Sequence, residues 1–120
     1  MKNTTVTVHG RTLRVRAVFN ILSQMRGMMF RSWRDVGDGM LFVFPREARW
    51  GVEMPFCVPM DLVFVDRNGI VVDVQEATPW KLNPLTWKIY KPCAACAYVL
   101  ELRPGLGKLF KRGSKARLNL

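Results

Sequence analysis

A chain of 120 residues, 49% of them hydrophobic, has enough apolar material for one core, and its length fits a single domain over residues 1–120. No stretch approaches the roughly 20 consecutive apolar residues that a membrane-crossing helix needs, so a helical membrane protein is excluded and a soluble protein with no membrane partner is expected. Nineteen Lys and Arg against nine Asp and Glu give a formal net charge of +10, enough to attract polyanions at low salt but not to name a partner.

The start, Met1 to Val8, alternates polar and β-branched residues and lacks the apolar run and cleavage site of a secretory leader, which predicts an unprocessed cytoplasmic protein. Val6 and Val8, then Leu13, Val15 and Ala17, alternate with polar neighbours around His9-Gly10-Arg11, the pattern of a hairpin. Asn20 is a good N-cap, and Ile21, Leu22, Met25, Met28 and Met29 recur at helical spacing, predicting a short helix near residues 20–30. Ser32 to Asp38 reads as a loop. Gly39 to Phe44 has no polar position and reads as a strand covered on both faces, ended by Pro45. Pro55 and Pro59 each remove a ladder donor, so regular pairing is expected only from about Asp61.

Asn68-Gly69 separates two apolar runs and signals a tight hairpin, since both residues accept positive φ. Ala77 to Pro92 is too long for an idle connection in a compact domain. Ala97 to Leu102 reads as a strand, Pro104 to Phe110 as a helical turn, and Ala116 to Leu120 as a closing strand. Many strands with little helix predict a mainly β fold, a small β-sandwich or partly closed barrel with one short helix near residues 20–30 and a helical turn near 104–110. No repeat or low-complexity segment is visible.

Four blocks carry a family resemblance: Arg26-Gly27-Met28-Met29-Phe30-Arg31; Gly39 to Phe44; Pro59-Met60-Asp61-Leu62-Val63-Phe64-Val65-Asp66 with Gly69; and Ala97 to Leu102 with Gly105. In order and spacing they resemble the domain of unknown function 192 family over nearly the whole chain. The resemblance implies a compact, mainly β domain with one helix near its front, and no established reaction. Many relatives place a cluster of polar and aromatic side chains just ahead of the proline matching Pro59. Here that stretch is Val52-Glu53-Met54-Pro55-Phe56-Cys57, so a ligand role for those side chains does not carry over. The Trp80 to Pro92 insert resembles the archaeal branch.

Asp61 and Glu101 are acids set in apolar strands, and the family pattern has an acid at both positions. As a pair across a cleft they would suit acid–base chemistry in a hydrolase or carbohydrate-active site. Alternatively each is held by Arg26, Arg31 or a backbone donor, as buried carboxylates require. Cys93-Ala94-Ala95-Cys96 has redox or metal spacing, but Cys57 and His9 stand alone and the motif precedes a strand, which favours reduced thiols and no metal.

Trp80, Trp87 and Tyr90 interleave with Lys81, Lys88 and Lys91, a composition that suits either core packing or the stacking of single-stranded bases. The leading expectation is a non-enzymatic binding module without cofactor or catalytic residues, its cleft lying between Asp61 and the Trp80–Pro92 loop. Asp61, Glu101, Arg26, Arg31, Trp80, Trp87 and Tyr90 would hold a small ligand or protein segment. The alternative is nucleic-acid binding through Lys88, Lys91, Lys108, Lys111, Arg112 and Lys115.

Overall fold

Alternation of β-branched and polar residues in the first eighteen positions builds the first ribbon. In the computed structural model, which describes residues 2–19, 32–54 and 57–120, β1 (Lys2–Val8) and β2 (Arg11–Val18) pair antiparallel, with Val8 opposite Arg11. His9 and Gly10 form the two-residue turn at φ 47° and 74°, the backbone that a hairpin of this length demands. The further elements are α1 (Trp33–Val36), β3 (Gly39–Ala48), β4 (Met60–Val65), β5 (Val71–Ala77), β6 (Cys96–Leu102) and β7 (Arg117–Leu118), with 3-10 turns at Pro84–Thr86 and Leu106–Leu109.

The seven strands form one sheet in the order β5-β4-β6-β3-β2-β1-β7. Every neighbouring pair is antiparallel except β2 and β3, which run parallel. Val6, Val15, Leu41, Val63, Val71, Leu100 and Ala116 come from both ends of this order yet meet in one buried cluster, so the sheet curls around it as a half-barrel. Met40, Phe42, Met60, Leu62, Phe64 and Val99 point to the other face, where Val36 of α1, Met54 and Tyr90 cover them. Burial of both faces explains why β4 has no exposed position.

The C-terminal segment links the two edges of the sheet. Val71 N donates to Ser114 O at 2.9 Å, Gly113 N to Val71 O at 2.7 Å and Ala116 N to Gly69 O at 2.8 Å, beside β5. Two residues later β7 pairs with β1, Leu118 lying opposite Val6. The start of β5 and the turn-proximal part of β1, which would otherwise offer unpaired donors and acceptors, are thereby occupied.

Four expectations are revised or fall outside the described residues. Ser32 to Asp38, read as a loop, contains α1: Ser32 caps it, Asp35 Oδ2 accepting from Ser32 N at 3.1 Å, an S-x-x-D variant of the capping box. Pro45 does not end β3; the strand runs to Ala48 through a register shift between Val43 and Ala48, and such irregularities tolerate a residue without a donor. At Asn68-Gly69 only the glycine has positive φ (84°). Asp66 organises this reversal, its Oδ1 accepting from Asn68 N and Ile70 N at 2.9 Å each, so the connection is a wider Asx-type turn than the two-residue form. The expectation of a helix near residues 20–30, with Arg26 and Arg31, falls outside the described residues.

Candidate functional site

Residues i and i+2 of a strand share a face, and β2 uses this to set Arg14 and Arg16 side by side, opposite the buried row Leu13, Val15 and Ala17. Across the ribbon, Thr5 pairs with Arg14 and Asn3 with Arg16, adding polar groups on the same face. α1 brings a third guanidinium, Arg34, and its position is fixed from several sides. Asp38 N donates to Arg14 O at 2.9 Å, Arg14 N donates to Asp38 Oδ2 at 2.8 Å, and Arg103 Nε donates to Gly37 O at 2.8 Å. A Cβ on Gly37 would come 3.2 Å from Arg14 O, and its φ of +70° also disfavours a side chain.

These residues line a cleft of about 410 Å³, within the range of small-molecule sites. Three arginines and one acid, Asp35, border it. Asp35 is engaged with its own helix start, and among the described residues none of the three guanidinium groups forms a salt bridge. Charged and without an acid partner among the described residues, they present planar donors suited to a multiply charged oxyanion.

The acids singled out from the sequence lie elsewhere. Asp61 is paired with Leu102 and points into the enclosed face, where its Oδ2 accepts from Gly105 N at 2.8 Å and Gly107 N at 2.9 Å. Glu101 pairs with Met40 and Leu62, whose side chains belong to the other face. The two carboxylates are therefore on opposite sides of the sheet and cannot act on one substrate. That removes the paired-acid hydrolase. Trp80 and Tyr90 pack on the outer-face core, on the side of the sheet opposite Asp61, so Asp61 and the Trp80–Pro92 loop do not border one cleft.

The loop itself is built on aromatic stacking. Trp80 and Trp87 stack at 5.6 Å with an interplanar angle of 18°, Trp80 Nε1 donates to Lys88 O at 2.9 Å, and Trp87 Nε1 to Lys81 O at 2.8 Å. Tyr90 is buried and its hydroxyl accepts from Thr78 N at 3.1 Å. Lys88 Nζ sits 4.8 Å from the Tyr90 ring centroid, a cation–π distance. Lys88 and Lys91 thus belong to a loop on the outer face, whereas Lys108, Lys111, Arg112 and Lys115 follow the segment that covers the enclosed face. The six cations are split between two sides of the sheet.

The family's sequence model, described as "Uncharacterized ACR", matches residues 4–117. The chain belongs to the domain of unknown function 192 family. It is 30% identical over 95 residues to a UPF0127 protein of Pyrococcus abyssi, covering 77% of this chain and 73% of that protein. A UPF0127 protein of Pyrococcus horikoshii is 29% identical over 100 residues, 81% of this chain and 78% of the relative. Both relatives are archaeal, in line with the archaeal-like insert.

Two solved structures share the fold. A candidate transcription regulator from Sinorhizobium meliloti superposes with a TM-score of 0.79 at 26% identity, over 98% of this chain and 94% of that one. A protein of unknown function from Novosphingobium aromaticivorans gives 0.75 at 26% identity, over 96% and 83%. Val52 and Met54 fill the outer-face core here.

The thiols of this family member are free: Cys93 is exposed, Cys57 half-buried and Cys96 buried. Among the described residues no three His, Cys, Asp or Glu side chains converge as a metal site. Burial, with a smaller contribution from Glu101, pushes the Cys57 thiol from 9.0 to about 12. Burial likewise raises Cys96 to about 11. A raised thiol pKa stabilises the fold below the unfolded value near 9 and loses that contribution as pH climbs toward 11 to 12. Melting temperature is accordingly expected to fall above pH 9, and a Cys57→Ala/Cys96→Ala variant to fall less steeply from its own starting value. Parallel pH–melting curves for the two proteins would refute this.

Arg14, Arg16 and Arg34 were missed in the sequence. Their signal was the spacing Arg14-x-Arg16 on the polar face of a predicted strand; Arg34 sat in a segment read as loop.

Proposed function

We propose that this chain is a non-enzymatic binding module that takes a small phosphorylated anion in the cleft between β2 and α1. The observation that carries the reading is the set of three guanidinium groups, unpaired with acids among the described residues, on one cleft of about 410 Å³. A phosphate group satisfies two or three planar donors at once, while Thr5 and Asn3 offer further hydrogen bonds to the body of the ligand.

Calorimetric titration with pyrophosphate and with adenosine monophosphate tests it. Saturable binding is expected, with Arg16→Gln and Arg34→Gln each lowering affinity by about tenfold, the loss of about 1.4 kcal/mol from one charge-assisted contact. Absence of saturable binding, or binding that survives the triple change of Arg14, Arg16 and Arg34 to glutamine, would dismiss it.

A second reading, nucleic-acid binding, is supported by the resemblance to the Sinorhizobium meliloti candidate transcription regulator and by the exposed cations Lys108, Lys111, Arg112 and Lys115. A single-stranded oligonucleotide titrated alongside separates the two. Binding weakened steeply by salt and by Lys111→Glu/Arg112→Glu, but indifferent to Arg16→Gln, belongs to the second reading.

A further inference from the structure

We propose that the Trp80–Pro92 loop is an interfacial anchor that seats this protein on an anionic lipid surface. Leu82 and Leu85 are 99% and 92% exposed, Trp87 is 52% exposed and Ile89 48%. Single exposed apolar residues are ordinary on a protein surface, but four within eight positions of one loop are not. The sequence between Glu76 and Glu101 contains no acid and carries Lys81, Lys88 and Lys91, all exposed. Exposed apolar side chains interleaved with exposed ammonium groups match a bilayer whose hydrocarbon begins beneath a negatively charged headgroup layer.

The backbone of the loop is prepared for such transfer. Lys81 N donates to Thr86 Oγ1 at 2.8 Å and Leu85 N to Asn83 Oδ1 at 3.0 Å. Thr86 N, Trp87 N and Lys88 N donate to Asn83 O, Pro84 O and Thr86 O at 3.0, 3.0 and 2.9 Å. Pro84 has no donor to satisfy. A turn that keeps these groups bonded within itself loses little when water is withdrawn from it. Of the stacked indoles, Trp80 packs on the outer-face core and Trp87 is half exposed beside it, an arrangement that suits amphipathic rings at headgroup level.

A nucleic acid fits this surface less well. The two indoles stack on each other rather than standing open, and bare leucines offer nothing to phosphates. The absence, among the described residues, of a helix long and apolar enough to span a membrane does not bear on a loop that enters only the interface. The inference is independent of the arginine cleft.

Co-sedimentation of the whole chain with vesicles of phosphatidylcholine mixed with phosphatidylglycerol is the test, with pure phosphatidylcholine vesicles as comparison. Partition onto the anionic vesicles is expected to be at least about tenfold stronger, and Lys81→Glu/Lys88→Glu to remove most of that difference. Leu82→Asp/Leu85→Asp should weaken binding at least about tenfold while leaving the melting temperature and pyrophosphate binding unchanged, because both side chains touch only solvent. Acyl-chain-brominated lipid should quench wild-type tryptophan fluorescence, and Trp87→Phe should lose most of that quenching. Failure to bind anionic vesicles overturns the proposal. So does wild-type binding by the leucine variant, which would assign the attraction to the net charge of +10. A loop that leaves vesicles alone but whose substitution abolishes oligonucleotide binding overturns it as well.

Discussion

Asp61→Ala is expected to lower stability by about 3 kcal/mol and the melting temperature by roughly 10 °C. Asp61 is 6% exposed, and its Oδ2 receives two backbone donors from the 3-10 turn that carries Leu106, Leu109 and Phe110 onto the enclosed core. Alanine would strand the Gly105 and Gly107 N–H groups against apolar surroundings, the penalty that makes a deleted acceptor worse than a hydrogen bond never formed. Asp61→Asn keeps one acceptor oxygen and should lose less. Gly107→Ala attacks the same contact from the other side, since a Cβ there would lie 2.9 Å from both Cβ and Oδ2 of Asp61. Thermal melts of the three variants check the ranking. Equal stability of Asp61→Ala and wild type would show that the turn docks by apolar burial alone.

Removing residues 113–120 is expected to have a larger effect still. The segment donates or accepts at Gly69 and Val71 beside β5, places Lys115 Nζ 2.6 Å from Asn68 O, and continues into β7 on β1, where Asn119 N donates to Thr5 O at 3.1 Å. About six hydrogen bonds at roughly 1 kcal/mol each, with the burial of Ala116, amount to most of the 5–15 kcal/mol by which domains are usually stable. The truncated chain should lose near-ultraviolet circular dichroism and associate through its bared strand edges. A monomer of native-like spectrum and melting temperature would remove the segment from the fold's essentials.

Much of the β framework was legible because period-two patterning is local. The hairpin around His9-Gly10, strands β4 and β6, and the turn near residues 104–110 follow from side chains within a few positions of one another. What escaped was set by contacts far apart in the chain. An acid inside an apolar run marks Asp61 as buried, but its partners are backbone N–H groups more than forty residues away, which leave no mark on composition. Opposite faces for Asp61 and Glu101 follow from the β4–β6 register, which no single strand encodes. The arginine cleft needs β2 and β3 to lie parallel so that α1 arrives over Arg14 and Arg16. Pro45 misled because proline forbids regular pairing, whereas a bulge asks for none. For the Trp80–Pro92 loop the residues were identified, while its exposed tip depends on the indole stack that fixes which side chains turn outward.

The link from β5 across to β1 also bears on how the protein is made. On the ribosome, the first hairpin and the β4–β5 ribbon can pair as they emerge, yet their two free margins meet a common partner only after Gly113 to Leu118 have cleared the exit tunnel. A nascent polypeptide halted before that point would present both margins together, which makes emergence of Gly113 to Leu118, rather than synthesis of the central strands, the step at which this sheet is sealed.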